Sequence, residues 1–195
     1  MRPLILKMSI SLDGFVGGPN GETDWMHRSR DDGARGWVED TLRQAGLHAM
    51  GRRTYDDMAD YWPTSIHPLA AAMNEVPKVV FTRRRSLDLD AGRTTSHAAS
   101  SESWAKAEVV NGDLTAEMTR LKQQPGKDIL AHGGAAFAQS LAASGLVDEY
   151  RLVVHPVVLG AGLPLFAQLP NPLDLELRGI TLFRSGIAAH VYRPA

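Results

Sequence analysis

Apolar positions along the chain alternate between short runs and helical stripes. Leu4 to Ile10 is a short apolar run closed by Ser11-Leu12-Asp13-Gly14, which predicts a buried strand and a turn. Gly14, Gly17, Gly18, Pro19, Asn20 and Gly21 then crowd together, a composition that predicts a mobile loop. Trp37, Val38, Thr41, Leu42 and Ala45 share one face of a helix running from about Asp31 to Ala45, with Gly46 as its stop. Leu47 to Met50 is short and apolar. Gly51-Arg52-Arg53-Thr54 opens a second helix to about Asp60, ended by Tyr61-Trp62-Pro63.

Lys78 to Thr82 follows Pro77 and is β-branched and aromatic, a strand. Arg83, Arg84 and Arg85 come next, then a polar stretch over 86–104 whose Ser/Ala-rich part, 94–105, reads as a surface loop or insertion. Ala107 to Val110 suits a strand. Asp113 suits the N-cap of a helix with Leu114, Met118 and Leu121 on one face. Asp128 to His132 is a strand, Gly133-Gly134 leads into a helix with Phe137 and Leu141 at i, i+4, and Gly145 closes it. Tyr150 to Val154, Leu173 to Leu177 and Ile187 to Tyr192 read as late strands with no helix between them. Alternating strands and helices predict a parallel sheet with right-handed crossovers, and the β-rich tail predicts an antiparallel edge on it.

Composition narrows the function. The chain has 195 residues, 44% hydrophobic and 22% charged, with a net charge of −1, which suits one globular domain spanning 1–195. The balanced charge speaks against a non-specific nucleic-acid binder. With no Cys there is no disulfide, thiolate metal site or Cys nucleophile. No stretch nears the roughly 18 apolar residues of a membrane span, and the N-terminal apolar patch is too short for a signal peptide. A cytoplasmic protein without metal, nucleic-acid or membrane partners is expected. The seven His (27, 48, 67, 97, 132, 155, 190) are scattered and read as surface or satisfied core residues.

Three strand-to-helix junctions carry chemistry. Ala49-Met50-Gly51-Arg52-Arg53-Thr54 places a glycine, two guanidiniums and a hydroxyl at a helix start, the composition of a phosphate site. Phe81-Thr82-Arg83-Arg84-Arg85 puts a hydroxyl and cations at a strand end. His132-Gly133-Gly134-Ala135-Ala136 is a helix start with no bulky side chain to block a pyrophosphate. Each alone also suits an ordinary turn or solvated face. Together they lie at the carboxyl ends of strands, where open α/β sheets bind ligands. They suggest a dinucleotide, and the arginines favour the 2′-phosphate of NADPH over NADH.

These segments, together with Met8-Ser-Ile-Ser-Leu-Asp-Gly14 and Leu146-Val-Asp-Glu-Tyr-Arg-Leu-Val-Val-His-Pro-Val-Val-Leu-Gly160 with Leu163-Pro-Leu-Phe166, resemble the dihydrofolate reductase-like superfamily. The resemblance is strongest to the reductase domain of bifunctional riboflavin-biosynthesis deaminase-reductases, and it runs from residue 8 to 166 in the family's order. It implies a three-layer α/β/α fold with a mixed, mostly parallel sheet and antiparallel C-terminal strands. It implies a stand-alone NADPH-dependent reductase acting on a small pterin-like, aminopyrimidine or related heterocycle, and a homodimer. It assigns Gly51, Arg52, Arg53, Thr54, Thr82, Arg83 and Arg84 to the adenosine phosphates, and Gly133, Gly134, Ala135 and Ala136 to the pyrophosphate. Asp13, Gly14 and Phe15 would lie over the nicotinamide, and residues 14–25 would form a lid there.

Trp25, Tyr55, Tyr61 and Trp62 are candidates to stack on a planar substrate, with core packing as the alternative. Asp13 would relay a proton or brace its turn. The chain departs from the riboflavin-type pattern in having Lys7-Met8-Ser9-Ile10 where Lys-Thr-Ala is usual, and no first-helix carboxylate aligns with the dihydrofolate reductase one. A non-catalytic nucleotide- or ligand-binding module on the same fold is the competing reading.

Overall fold

A computed structural model describes residues 1–84 and 102–195. Arg85 and most of the Ser/Ala-rich stretch lie outside the described residues. The strands are β1 (Leu4–Ser11), β2 (Phe15–Gly17), β3 (Leu47–Gly51), β4 (Lys78–Phe81), β5 (Glu108–Val110), β6 (Ile129–Ala131), β7 (Glu149–His155), β8 (Leu163–Pro164), β9 (Leu175–Leu182) and β10 (Ala188–Pro194). The helices are α1 (Asp32–Gln44), α2 (Arg52–Tyr61), α3 (Ala70–Glu75), α4 (Glu102–Ala105), α5 (Leu114–Gln123) and α6 (Ala135–Ser144). Eight strands form one sheet in the order β5-β4-β3-β6-β1-β7-β10-β9. The first six are parallel, and β10 and β9 add antiparallel at one end. None of the described helices is long and apolar enough to cross a membrane.

Strand alternation divides the core between the two faces. Leu4, Leu6, Ala49, Val79, Ile129 and Ala131 point toward α5 and α6, where they meet Met118, Leu121, Ala138 and Leu141. Ile5, Met50, Val80 and Leu130 point the other way and meet Leu42 of α1, Tyr55 and Ala59 of α2 and Met73 of α3. Helices thus cover both faces, as the near-continuous apolar runs of β1, β3 and β4 require.

Local chemistry sets the helix ends. Asp31 caps α1 by accepting from the Ala34 amide at 3.0 Å, and Asp113 caps α5 by accepting from Ala116 at 2.9 Å. Gly145 ends α6 at φ +68°, the left-handed cap its position predicts. Gly46 plays a different part from the expected stop. Helix α1 ends at Gln44, and a Cβ on Gly46 would come within 2.9 Å of the Lys127 Cβ, so close chain approach requires the glycine.

Several elements depart from the sequence reading. The segment after Gly14 is a packed strand and turn rather than an open loop: β2 pairs antiparallel with β8. Helices α3 and α4 had no clear apolar stripe, being six and four residues long. Strand β9 runs on to Leu182, past the expected Leu177. In the apolar 150–159 segment Tyr150, Leu152 and Val153 are buried, while Val158 is 64% exposed. The exposed apolar edge is β9 instead, where Leu177, Ile180 and Leu182 are 49%, 56% and 74% exposed.

Candidate active site

Strands β1, β3, β4 and β6 end along one rim of the sheet, and α2 and α6 start there from opposite layers. The Gly51 amide donates to the Gly133 carbonyl at 3.4 Å, and the Gly134 amide donates to Thr54 Oγ1 at 2.6 Å, so the two helix starts are tied together. Neither start has a side-chain cap, in contrast to α1 and α5. The amides of Ala135, Ala136 and Phe137 therefore face out of α6 without intrahelical acceptors, and those of Arg52 and Arg53 do so from α2. Two converging helix N-termini add their partial positive charge, which makes this rim a receptor for anions.

The glycines keep this cradle open. A Cβ on Gly51 would lie 3.2 Å from the Cβ of Phe137, and one on Gly134 would lie 3.1 Å from Thr54 Oγ1. Gly133 has φ +66° and would press a Cβ to 2.9 Å from Met8 Cε. The peptide bond between Gly133 and Gly134 is cis. The rings of Phe81 and Phe137, 5.1 Å apart, hold the start of α6 against the end of β4. These features fit a pyrophosphate lying on glycine backbone.

Cations border the cradle. Arg52 is drawn into an ion pair with Asp56 at 2.6 Å, while Arg53, Arg83 and Arg84 are exposed and make no ion pair with a described residue. Thr82 Oγ1 accepts from the Arg84 amide at 3.1 Å, which fixes the turn at the end of β4.

Asp13 is an anchor in its turn. Its carboxylate accepts from Ser11 Oγ at 2.6 Å, from the Leu159 amide at 3.1 Å and from the Gly160 amide at 2.8 Å, and these bonds, Ser11's foremost, hold its pKa below the usual carboxylate value. Gly14 and Phe15 extend the same junction: the Gly14 carbonyl accepts from Leu165, and the Phe15 amide donates to Ser11 Oγ. The 14–25 segment is closed on itself. Val16 and Trp25 are buried, and Trp25 Nε1 donates to the Glu22 carbonyl at 3.0 Å.

The four aromatic candidates do not gather at the rim. Trp25 packs edge-on against His155, ring centroids 5.3 Å apart, so it is an anchor of this segment rather than a stacking face. Tyr55 is fully buried, and its hydroxyl donates to the Trp104 carbonyl at 2.6 Å. Tyr61 and Trp62 meet edge-on at the far end of α2, ring centroids 4.9 Å apart. A ten-residue helix that starts at the rim carries its last residue about 15 Å away.

Lys7, His48 and His132, to which the sequence reading assigned no role, lie on the sheet face toward α1 and α2. Lys7, on the β1 face opposite Leu6 and Met8, is pushed down to a pKa of about 8 by burial. His132 and His48 meet edge-on at 4.4 Å, and His48 Nδ1, His48 Nε2 and His132 Nε2 have no hydrogen-bond partner. Burial lowers His48 to about 3 and His132 well below 6.5, so both are neutral. The sequence signals were a lysine within a buried apolar strand and a histidine directly before a glycine pair. Among the described residues no group of His, Asp and Glu is arranged to hold a metal.

Comparison with known proteins identifies the family and the fold. The family described as RibD C-terminal domain matches residues 2–189. A Bacillus subtilis (strain 168) protein of uncharacterised activity, YyaP, is 34% identical over 191 residues, covering 98% of this chain and 94% of that protein. A crystal structure from Shewanella sp. PV-4, assigned provisionally to riboflavin biosynthesis, superposes with a TM-score of 0.75 at 21% identity, covering 100% of this chain and 99% of that one. A pyrimidine reductase-like protein from Corynebacterium diphtheriae superposes with a TM-score of 0.67 at 14% identity, covering 100% and 92%.

Proposed function

The chain belongs to the RibD C-terminal domain family, and on that premise we propose that it is an NADPH-dependent reductase of a small pyrimidine-like heterocycle. The observation that carries this reading is the pair of uncapped helix starts, α2 and α6, joined by the bond from Gly134 to Thr54 at open strand ends. A dinucleotide supplies the anionic charge that this junction attracts. Gly51, Gly133 and Gly134 would hold the pyrophosphate with the amides of Ala135 and Ala136. Arg53, Arg83 and Arg84, with Thr82, would take the 2′-phosphate. The similarity to a pyrimidine reductase-like protein supports the substrate class.

When bound, the cofactor supplies hydride to a C=N or C=O carbon. The chain's own work is to orient and to exclude water. The Asp13 turn, pinned to the amides of Leu159 and Gly160, sets the height of Gly14 and Phe15 over the cleft. The β2–β8 pair walls the cleft from solvent on that side. In the test, NADPH absorbance is followed against a panel of reducible pyrimidines and pterins, with NADPH binding measured separately by calorimetry. Binding with turnover of a pyrimidine supports the reading. Binding without turnover of any compound favours a nucleotide-binding module, and absence of binding removes the reading.

A further inference from the structure

The first turn of α6 offers its amides to the cradle, and the turn after it reaches across to the wall of the cleft. Two of the helix's polar side chains, Ser140 and Ser144, turn back to the carbonyls of Ala136 and Leu141 in their own helix. Gln139 behaves differently. Its side-chain amide leaves the helix and donates to the Pro164 carbonyl of β8 at 2.7 Å. Among the described residues it is the one polar side chain of α6 bonded to another element.

Strand β8 in turn carries the backbone beside the Asp13 turn. Pro164 is the register partner of Phe15 in β2, and the Leu165 amide donates to the Gly14 carbonyl at 2.9 Å. The Leu165 side chain is fully buried in one cluster with Val16, Ala138 and Leu141. Gly162 approaches β2 so closely that a Cβ on it would fall 2.3 Å from the Gly17 carbonyl oxygen. Thus β8 moves with β2, and Gln139 ties it to α6. A strand of two residues has too few ladder bonds to hold its own place, so this side attachment matters. Bonded groups run without a break from the amides of Ala135 and Ala136, through Gln139 and Pro164, to Gly14 and Phe15. The helical part of that path is short, since three residues rise only about 4.5 Å. Contiguous bonded and packed groups of this kind carry coupling between sites.

We propose that Gln139 is a positioning residue. It holds β8, and through β8 the Gly14–Phe15 backbone, in a fixed relation to an anion seated at the start of α6. A cofactor docking by its pyrophosphate then also tightens the wall on the nicotinamide side of the cleft. This rests on the reductase reading above for the occupant of the cradle.

The experiment measures amide hydrogen exchange over residues 14–17 and 162–166 in the free protein, with saturating NADPH and with saturating inorganic pyrophosphate. Pyrophosphate supplies the anion for the cradle without the nicotinamide that would lie against Gly14 and Phe15. Any slowing it causes at the wall therefore travels through the protein. In the wild type both ligands should slow exchange at the Leu165 amide by about 3–10-fold, the scale of one hydrogen bond. Gln139→Met keeps the length of the side chain and removes its donor. In that variant the effect of pyrophosphate on the wall should vanish, the start of α6 should still be protected, and the NADPH dissociation constant should stay within about threefold of the wild type. A merely structural bond would raise exchange in the free variant and leave the effect of the ligand intact. Undiminished slowing by pyrophosphate in Gln139→Met overturns the proposal. A wild-type wall that fails to respond to pyrophosphate overturns it without any variant, and a response to NADPH alone then assigns the closure to direct contact with the nicotinamide. Slowing by pyrophosphate in a protein that does not bind NADPH counts against the reductase reading and leaves the role of Gln139 standing.

Discussion

Thr54 accepts a hydrogen bond from the Gly134 amide at 2.6 Å across 80 residues of sequence, and each residue lies at the start of a different helix. That one bond fixes how far apart the two N-termini stand, and so the width of the anion receptor. Thr54→Val keeps the shape and removes the acceptor. It should weaken NADPH about tenfold, while Thr54→Ser stays near the wild type. Fluorescence titration of NADPH reads both, and a Val variant with wild-type affinity would refute the role.

The glycine pair separates cofactor binding from folding. In Gly134→Val the Cβ begins 3.1 Å from Thr54 Oγ1 and the branched methyls fill the cradle, so NADPH binding should vanish while the far-UV CD stays native. Gly133→Ala adds strain at φ +66°, and it should cost about 1–2 kcal/mol of stability in urea unfolding. Normal binding by folded Gly134→Val would return the pair to the role of a turn.

Cofactor choice tests the exposed arginines. NADPH should bind about 10–100-fold more tightly than NADH, and Arg83→Ala with Arg84→Ala should close most of that gap without weakening NADH. Calorimetry giving equal constants for the two cofactors in the wild type would end the assignment.

Acid should destabilise the fold through its buried histidines. His48 is lowered to about 3 and His155 to about 4, both chiefly by burial, and His132 lies well below its ordinary value for the same reason. In the unfolded chain each takes a proton near pH 6.5. Below that pH the unfolded state binds protons that the folded state refuses, so stability held above pH 6.5 is lost as pH falls toward 4. Each histidine contributes a slope of about 1.4 kcal/mol per pH unit. Urea midpoints at pH 7.5 and 5.5 should differ clearly, and His48→Met should flatten the difference. An unchanged midpoint in the wild type would contradict the buried neutral state.

Association should run through the end of the sheet. Strand β9 is an edge whose Leu177, Ile180 and Leu182 are exposed, an arrangement that invites pairing with another chain. A homodimer is expected in solution, and Ile180→Lys with Leu182→Lys should return it to the monomer. Light scattering that gives the mass of one 21.2 kDa chain for the wild type at micromolar concentration would exclude it.

Much of the frame was legible because local rules and burial agreed. Asp31 and Asp113 cap the helices their positions predicted, Gly145 takes the left-handed turn, and the strands from Leu4 and Lys78 are apolar on both faces because helices cover both. The glycine junctions at 51 and 133–134 could be read for the same reason, since their chemistry is local. Side-chain placement could not. Tyr55 and Trp25 carry the rings expected of a stacking site, but they are spent on core and anchor contacts set by residues far away in sequence. His132 looked ordinary because its setting, edge-on to His48 with Nε2 left without a partner, comes from tertiary packing rather than from the sequence around it. The β2–β8 pair escaped notice because its two strands are only three and two residues long.

Strand β1 opens the chain yet lies inside the sheet, with Leu4 against Ile129 of β6 and Ile5 against Glu149 of β7. During synthesis it therefore emerges long before either neighbour. Neither neighbour exists until residues 129–155 have been made, and the apolar Leu4-Ile5-Leu6 edge stays open for that time. Loop closure over so long a separation is slow, so assembly of the central strands should govern the folding rate, and the growing chain is most prone to aggregate before residue 155 is free. The same wiring gives the finished rim its cooperativity. The Asp13 turn hangs from β1, which cannot detach without releasing β6 and β7 together.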